Sequence, residues 1–185
     1  MAKLIAFFQA TLDGYFAGVN GDVGWAHEGG DDPEWKAFVE GNAAGGGRLL
    51  FGRVTYEMMA SYWPTPAAAK NDPVVAERMN GLSKVVFSRT LEKASWSNTK
   101  LVKGDLAGEV RKLKQSGDDM AILGSGSIVS QLAREGLIDE FQVVVAPVTL
   151  GKGKTAFEGS SVRLKLTRTR AFDNGKVLLC YEPAG

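Results

Sequence analysis

The chain carries one cysteine, Cys180, and one histidine, His27, in 185 residues. One cysteine cannot close an intrachain disulfide, and this pair cannot supply a Cys- or His-rich metal centre. Cys180 lies in the apolar run Val177-Leu-Leu-Cys-Tyr181, where a buried, inert thiol is expected rather than a nucleophile. A Ser/His/Asp triad would have to use His27, which sits in a loop rich in Gly and Asp. Charge of one sign is missing too. Lys and Arg total 22 against 21 Asp and Glu, a net charge of +1, so no pull toward nucleic acid is expected. No apolar run approaches the roughly 18–20 residues of a membrane span. The opening Met1-Ala-Lys-Leu-Ile-Ala-Phe-Phe-Gln9 is too short for a signal h-region and reads as a first strand. These absences point to a cytoplasmic protein with no metal, nucleic-acid or membrane partner.

What is present is an apolar fraction of 44%, enough for a real core, and a length that suits one domain over residues 1–185. The richest stretch is Met120-Ala-Ile-Leu-Gly-Ser-Gly-Ser-Ile-Val-Ser-Gln-Leu132. A short apolar strand ends in Gly124-Ser-Gly-Ser127. Ile128, Val129, Leu132 and Ala133 then mark one helix face. Glycines between a strand and a helix let the backbone approach a ligand, and the free N–H groups of the helix start favour an anion. The same residues also read as a tight turn with no ligand. Two further strand ends carry anion-friendly groups. In Arg48-Leu-Leu-Phe-Gly-Arg-Val-Thr-Tyr-Glu57, Arg53 and Thr55 fall in the first helical turn. In Lys84-Val-Val-Phe-Ser-Arg-Thr90, Ser88 and Arg89 follow the strand. Three such ends suit one extended, multiply phosphorylated ligand.

Along the chain, strand-like runs at 4–10, 48–51, 84–88, 120–123 and 140–149 alternate with helical patterns. One helix opens at Asp32-Pro33, with Asp32 as N-cap and Trp35, Phe38 and Val39 as its buried face. Asp72-Pro73 and Asp105 open two more, and Ser61-Tyr-Trp-Pro-Thr-Pro66 cannot be helix interior. The tail, 162–172 and 176–182 around Asp173-Asn174-Gly175, reads as a hairpin with a type I′ turn. The pattern predicts a three-layer α/β/α sandwich, with a mixed, mostly parallel sheet and an antiparallel C-terminal hairpin. Two motifs fail. Gly153-Lys154-Thr155 imitates the end of a Walker loop, but Val148 stands where the earlier glycine belongs. Gly124-x-Gly126 lacks the third glycine of a dinucleotide fingerprint, because Val129 stands there.

Five short segments in order carry a family resemblance. They are Thr11-Leu-Asp-Gly-Tyr-Phe-Ala-Gly18, Leu50-Phe-Gly-Arg-Val-Thr-Tyr-Glu57, Val85-Val-Phe-Ser-Arg89, Ile122-Leu-Gly-Ser-Gly-Ser127, and Leu137-Ile-Asp-Glu-Phe141 running into Pro147-Val-Thr-Leu-Gly151. The chain resembles dihydrofolate reductase and, more closely, the reductase domain of bacterial riboflavin biosynthesis. The resemblance implies NADPH as cofactor. It implies that Gly52, Arg53, Val54 and Thr55 meet the phosphates at one helix start. Gly124, Ser125, Gly126 and Ser127 would hold the pyrophosphate at another, and Ser88 and Arg89 would face the adenosine 2′-phosphate. Ala17 and Gly18 would border the nicotinamide, as would Ala6 on the first strand.

The resemblance also implies an acid on the first helix, and Asp32 is the nearest match, with Glu34 as a second candidate. The residues alone read Asp32 either as a catalytic acid or as a helix cap. Asp13, before Gly14, reads as a structural turn residue. Trp25, Tyr56, Tyr62 and Trp63 read either as core or as a stack for a flat substrate. The expected activity is hydride transfer from NADPH to a small heterocycle, pteridine- or pyrimidine-like. The alternatives are a dinucleotide- or flavin-binding module without turnover, and a structural relative that has lost the cofactor. The resemblance implies pairing through sheet edges and the carboxyl-terminal strands, and the tail from Val162 to Tyr181 is apolar enough to need such cover, so a homodimer is expected.

Overall fold

Alternation along the first strand organises the sheet. In the computed structural model, which describes residues 1–45 and 47–185, β1 (Leu4–Thr11) buries Leu4, Ala6, Phe8 and Ala10 toward one face. Phe7 and Gln9 point to the other face, because successive strand residues alternate. The remaining strands are β2 (Arg48–Gly52), β3 (Ser83–Phe87), β4 (Thr99–Val102), β5 (Met120–Leu123), β6 (Glu140–Ala146), β7 (Leu164–Ala171) and β8 (Val177–Pro183). They form one eight-stranded sheet in the order β4-β3-β2-β5-β1-β6-β8-β7. The first six are mutually parallel. β8 runs antiparallel to both β6 and β7.

Helices cover both faces. They are α1 (Pro33–Ala44), α2 (Arg53–Tyr62), α3 (Pro66–Asn71), α4 (Pro73–Gly81), α5 (Leu106–Gln115) and α6 (Gly126–Arg134). Val110 of α5 and Ile128, Val129 and Leu132 of α6 pack with Leu4, Ala6, Leu50 and Ile122. On the opposite face Tyr56 of α2 and Val75 and Met79 of α4 pack with Leu49, Phe51 and Val86. Trp35 of α1 packs there with Val144, Phe172 and Leu178. The result is the expected α/β/α sandwich.

Local departures have plain causes. The two prolines at 64 and 66 do end α2, but Pro66 then occupies the first position of α3, and the Thr65 hydroxyl accepts the Ala68 N–H at 3.2 Å. Asp72 stands at the start of α4 without a side-chain cap bond. The turn at 173–175 is not type I′, which needs positive φ at both central residues. Only Gly175 is left-handed, at φ 86°, and Phe172 and Lys176 close a three-residue loop through an N–H···O bond of 2.9 Å. Asp13 is the structural residue expected. Its carboxylate takes the Thr11 hydroxyl at 2.6 Å and the Gly151 N–H at 2.7 Å, which ties the loop after β6 to the end of β1. The Thr11 hydroxyl, with the backbone N–H groups of Gly151 and Leu150, holds this carboxyl below its ordinary pKa.

The decisive local feature joins two strand-to-helix turns. β2 and β5 are neighbours, yet the chain leaves β2 toward α2 on one face and β5 toward α6 on the other. The Ser125 N–H donates to the Thr55 hydroxyl at 3.1 Å, and the Gly52 N–H donates to the Ser125 hydroxyl at 2.8 Å. Both bonds are buried. They hold Ser125 at φ 53°, a left-handed backbone that costs a non-glycine residue about 1–2 kcal/mol.

Two expectations follow from these contacts. Thr55→Val should strand the buried Ser125 N–H and cost about 1–3 kcal/mol in urea unfolding, while Thr55→Ser should keep the hydroxyl and recover most of the loss. The second concerns two buried lysines. Lys84 donates to the carbonyls of Asn80 and Leu82, Lys176 to that of Ala26, and both are 1% exposed. Burial pushes each ammonium down from 10.5 to about 8. Between those values the unfolded chain binds more protons, so stability rises with pH. The rise in urea midpoint from pH 8 to 10.5 should be smaller in Lys84→Met than in the wild type.

Candidate functional site

A long cleft of about 1910 Å³ runs across the carboxyl ends of the parallel strands. Open α/β sheets bind ligands there, where adjacent strands send their connections to opposite faces. The junction of β2 and β5 is such a point. The N-termini of α2 and α6 both open onto the cleft.

The two helix starts differ from most others in the chain. α1, α3 and α5 carry side-chain caps from Asp32, Thr65 and Asp105. α2 and α6 carry none, and neither does α4, whose Pro73 removes one donor. At α6 the N–H groups of Ile128 and Val129 return to the Ser125 carbonyl at 2.9 and 3.1 Å. Among the described residues no protein acceptor takes the N–H of Gly126 or of Ser127. Open donors of this kind, at the positive end of a helix dipole, suit an anionic group. The glycines are needed for close approach. Gly124 has φ 58°, and a Cβ there would lie 3.2 Å from the Thr55 methyl. A Cβ on Gly126 would lie 2.5 Å from the Phe16 ring.

The other residues expected at the site fall into two groups. Gly52, Arg53, Val54, Thr55, Ser88 and Arg89 line the cleft, as do Ala17 and the whole of Gly124, Ser125, Gly126 and Ser127. The Thr55 hydroxyl turns inward to Ser125, so the clasp, not direct ligand contact, uses its lone pair. The Ser88 hydroxyl accepts the Thr90 and Leu91 N–H groups at 3.2 and 3.0 Å and so shapes the turn that presents Arg89. Arg53 reaches Glu57 at 2.9 Å on the surface, and Arg89 makes no ion pair among the described residues. Ala6, Gly18 and Asp32 lie outside the cleft wall. Ala6 is fully buried under α5 and α6. Gly18 closes a turn through Asp22, its N–H donating to the Asp22 carbonyl at 2.8 Å. The Asp32 carboxylate accepts the Trp35 N–H at 2.8 Å, so the cap is formed. Glu34, the other candidate acid, is exposed and lies 3.7 Å from Arg170.

Of the two readings left open for Trp25, Tyr56, Tyr62 and Trp63, core or substrate stack, the structure does not form the stack on the cleft: none of the four lines it. Tyr56 is 2% exposed, and its hydroxyl accepts the Trp96 N–H at 2.9 Å. Phe7, Phe8, Phe16 and Phe87 supply the aromatic wall instead. Lys154 and Thr155, set aside with the failed Walker pattern, also line the cleft. Lys154 reaches it by backbone pairing with the segment before Gly18: its N–H donates to the Ala17 carbonyl at 2.8 Å, and its carbonyl accepts the Phe16 N–H at 2.9 Å. Lys103 and Arg134 add two more cations, and His27 and Gln9 stand on the wall as well. No signal in the sequence placed these residues in one site, because each arrives from a different loop or strand end.

The residues fit a dinucleotide. Two uncapped helix starts offer donors, glycines admit the backbone of a ligand, and Arg53, Arg89, Lys103, Arg134 and Lys154 outnumber the lining acids Asp105, Glu135 and Glu158.

The chain is similar to known proteins in sequence and in fold. YyaP of Bacillus subtilis (strain 168), an uncharacterised protein, is 29% identical over 182 residues, covering 97% of this chain and 94% of its own. The crystal structure of a protein assigned to riboflavin biosynthesis from Shewanella sp. PV-4 superposes with a TM-score of 0.74 at 24% identity, over 100% of both chains. Dihydrofolate reductase from Enterococcus faecalis, in complex with NADP(H), superposes with a TM-score of 0.64 at 15% identity, covering 99% of this chain and 97% of that one. The fold is therefore of the reductase type. The family model of the RibD C-terminal domain matches residues 2–178, and the chain belongs to that family.

Proposed function

We propose that this chain is a cytoplasmic NADPH-dependent reductase that transfers a hydride to a small, flat heterocycle of the pteridine or pyrimidine type. The observation that carries the reading is the pair of uncapped helix starts, α2 and α6, facing one cleft at the β2–β5 switch point. Gly52, Arg53 and Val54 on one side, and Gly124, Gly126 and Ser127 on the other, would hold the phosphates, with Thr55 and Ser125 keeping the two sides in register. Arg89, without an ion-pair partner among the described residues and beside the Ser88 turn, would receive the adenosine 2′-phosphate. Ala17, 3% exposed, leaves room for a flat ring at the lip formed with Lys154. NADPH bound there would supply the hydride, and the protein's part is to hold donor and acceptor in contact.

A second reading, binding without turnover, is favoured by one observation. Among the described residues the carboxylates that line the cleft are Asp105, Glu135 and Glu158, and none comes from the segments that carry Gln9, Ala17, Ala26 and His27. Asp105 and Glu135 belong to the α5/α6 face. Glu158 follows Phe157, which packs on Phe8 and Phe141 of that same face. Among the described residues His27 and Lys154 are the ionisable groups that line the cleft with Gln9, Ala17 and Ala26, and one of them or water must supply the proton if reduction takes place.

Cofactor fluorescence decides the first question. NADPH should bind more tightly than NADH, and Arg89→Ala should weaken NADPH by about 1–3 kcal/mol with little effect on NADH. Equal affinities in the wild type would count against the assignment. Consumption of NADPH in the presence of pteridines or uracils then separates the two readings. The assembly is proposed as a homodimer. β7 stands at the open edge of the sheet, with Leu166 half exposed. Light scattering at micromolar concentration should give twice the mass of one chain, and Leu166→Lys should shift the population toward monomer.

A further inference from the structure

Lys176 is 1% exposed and stands behind the cleft wall, not on it. Its Nζ donates to Gln9 Oε1 at 3.0 Å and to the Ala26 carbonyl at 2.7 Å, and lies 4.4 Å from the centroid of the Trp35 ring. The mechanism needs no such lysine. Its chemistry has a consequence for Gln9. An ammonium has three donors and no acceptor, whereas a glutamine amide has one end of each kind. The amide can therefore meet Lys176 in one orientation only, oxygen first. Gln9 and Ala26 both line the cleft, and among the described residues the Gln9 amide nitrogen has no protein acceptor. Trp35 and the Ala26 carbonyl hold the ammonium in place, so the orientation is set from behind the wall.

We infer that Lys176 locks Gln9 as an obligate hydrogen-bond donor in the cleft, and that this donor selects ligands presenting a carbonyl oxygen over analogues presenting an amino group at the same point. The inference rests on the proposed function for the statement that this is the substrate end. A ligand with an amino group at the same point would meet the Gln9 amide donor to donor. Two polar groups would then lose water without gaining a partner, and that mismatch discriminates strongly between close analogues. Gln9 is the specificity-determining residue, and Lys176 is a positioning residue that acts through it.

Two fluorescent probes of the same shape test this. Lumazine carries ring carbonyls, and 2,4-diaminopteridine carries amino groups in their place. Both are titrated with and without NADPH. The wild type should favour lumazine by roughly tenfold or more. Gln9→Glu keeps an acceptor for Lys176 and replaces the cleft-facing donor with an acceptor, so the preference should reverse. Lys176→Met frees the amide to turn, so the preference should shrink to within about threefold while NADPH affinity is unchanged. Should Lys176→Met fail to fold, the Gln9→Glu comparison decides alone. A wild type that does not discriminate, a Gln9→Glu variant with unaltered preference, or a protein that binds NADPH but neither pteridine overturns the inference. A protein that shows the Gln9-dependent preference but binds no NADPH keeps the inference and overturns the proposed function.

Discussion

The site depends on one reciprocal clasp, the Ser125 N–H to the Thr55 hydroxyl and the Gly52 N–H to the Ser125 hydroxyl. Without it the ends of β2 and β5 would be two independent turns, each free to relax. With it, Ser125 stays left-handed between Gly124 and the start of α6. That conformation turns the chain sharply enough for the first N–H groups of α6 to face the cleft. The steric limits agree. The Thr55 methyl fills the space that a side chain on Gly124 would need, and the Phe16 ring fills that of Gly126. Hydrogen bonding therefore calls for Thr55 and Ser125, and packing calls for glycine at 124 and 126 on either side of that serine.

The clasp also explains how helix capping is distributed. Asp32, Thr65 and Asp105 satisfy the starts of α1, α3 and α5 from within the protein. At α6 the residue in the capping position is Ser125, a good cap by type. Its hydroxyl is instead held by the Gly52 N–H, and its backbone is left-handed where a cap is extended. The same serine that joins the two turns thereby leaves the α6 donors open. An anion in the cleft would complete both the hydrogen bonding and the dipole of that helix.

Most of the fold was legible because it rests on short-range signals. The β5–α6 unit was readable from an apolar run, two glycines and a helical stripe. The cap at Asp32 was readable from Asp-Pro ahead of an aromatic face. Where the reading failed, the missing information was three-dimensional. Pro66 looks like a breaker until Thr65 is seen to cap the helix it starts. Asp173-Asn174-Gly175 suits two loop geometries, and the choice depends on how Phe172 and Lys176 pair. Gly153-Lys154-Thr155 was dismissed for sound reasons as a phosphate loop, yet pairing with Ala17 carries it to the cleft by another route. Asp32 and Ala6 were placed near the chemistry by analogy. In this chain neither Asp32 nor Ala6 lines the cleft, and Ala6 is buried under α5 and α6.

Lys176 shows why no periodicity could reveal the far wall. In the sequence it is one polar residue after a glycine turn, at the start of an apolar strand. Folding brings it from β8's entrance across β6 to Gln9 on β1, with Ala26 and Trp35 closing over it. Burial alone would favour the neutral amine, and it does lower the pKa to about 8. Glu28 opposes that shift, and a value of about 8 leaves the group protonated near neutral pH, where two acceptors and an aromatic face receive it. A hydrophobic residue of similar size would avoid that desolvation cost, and such replacements are often neutral or stabilising in other proteins. What a hydrophobic residue could not do is distinguish the two ends of the Gln9 amide. The buried charge gives the wall a polarity, and a side chain that could otherwise present either end to the cleft presents one.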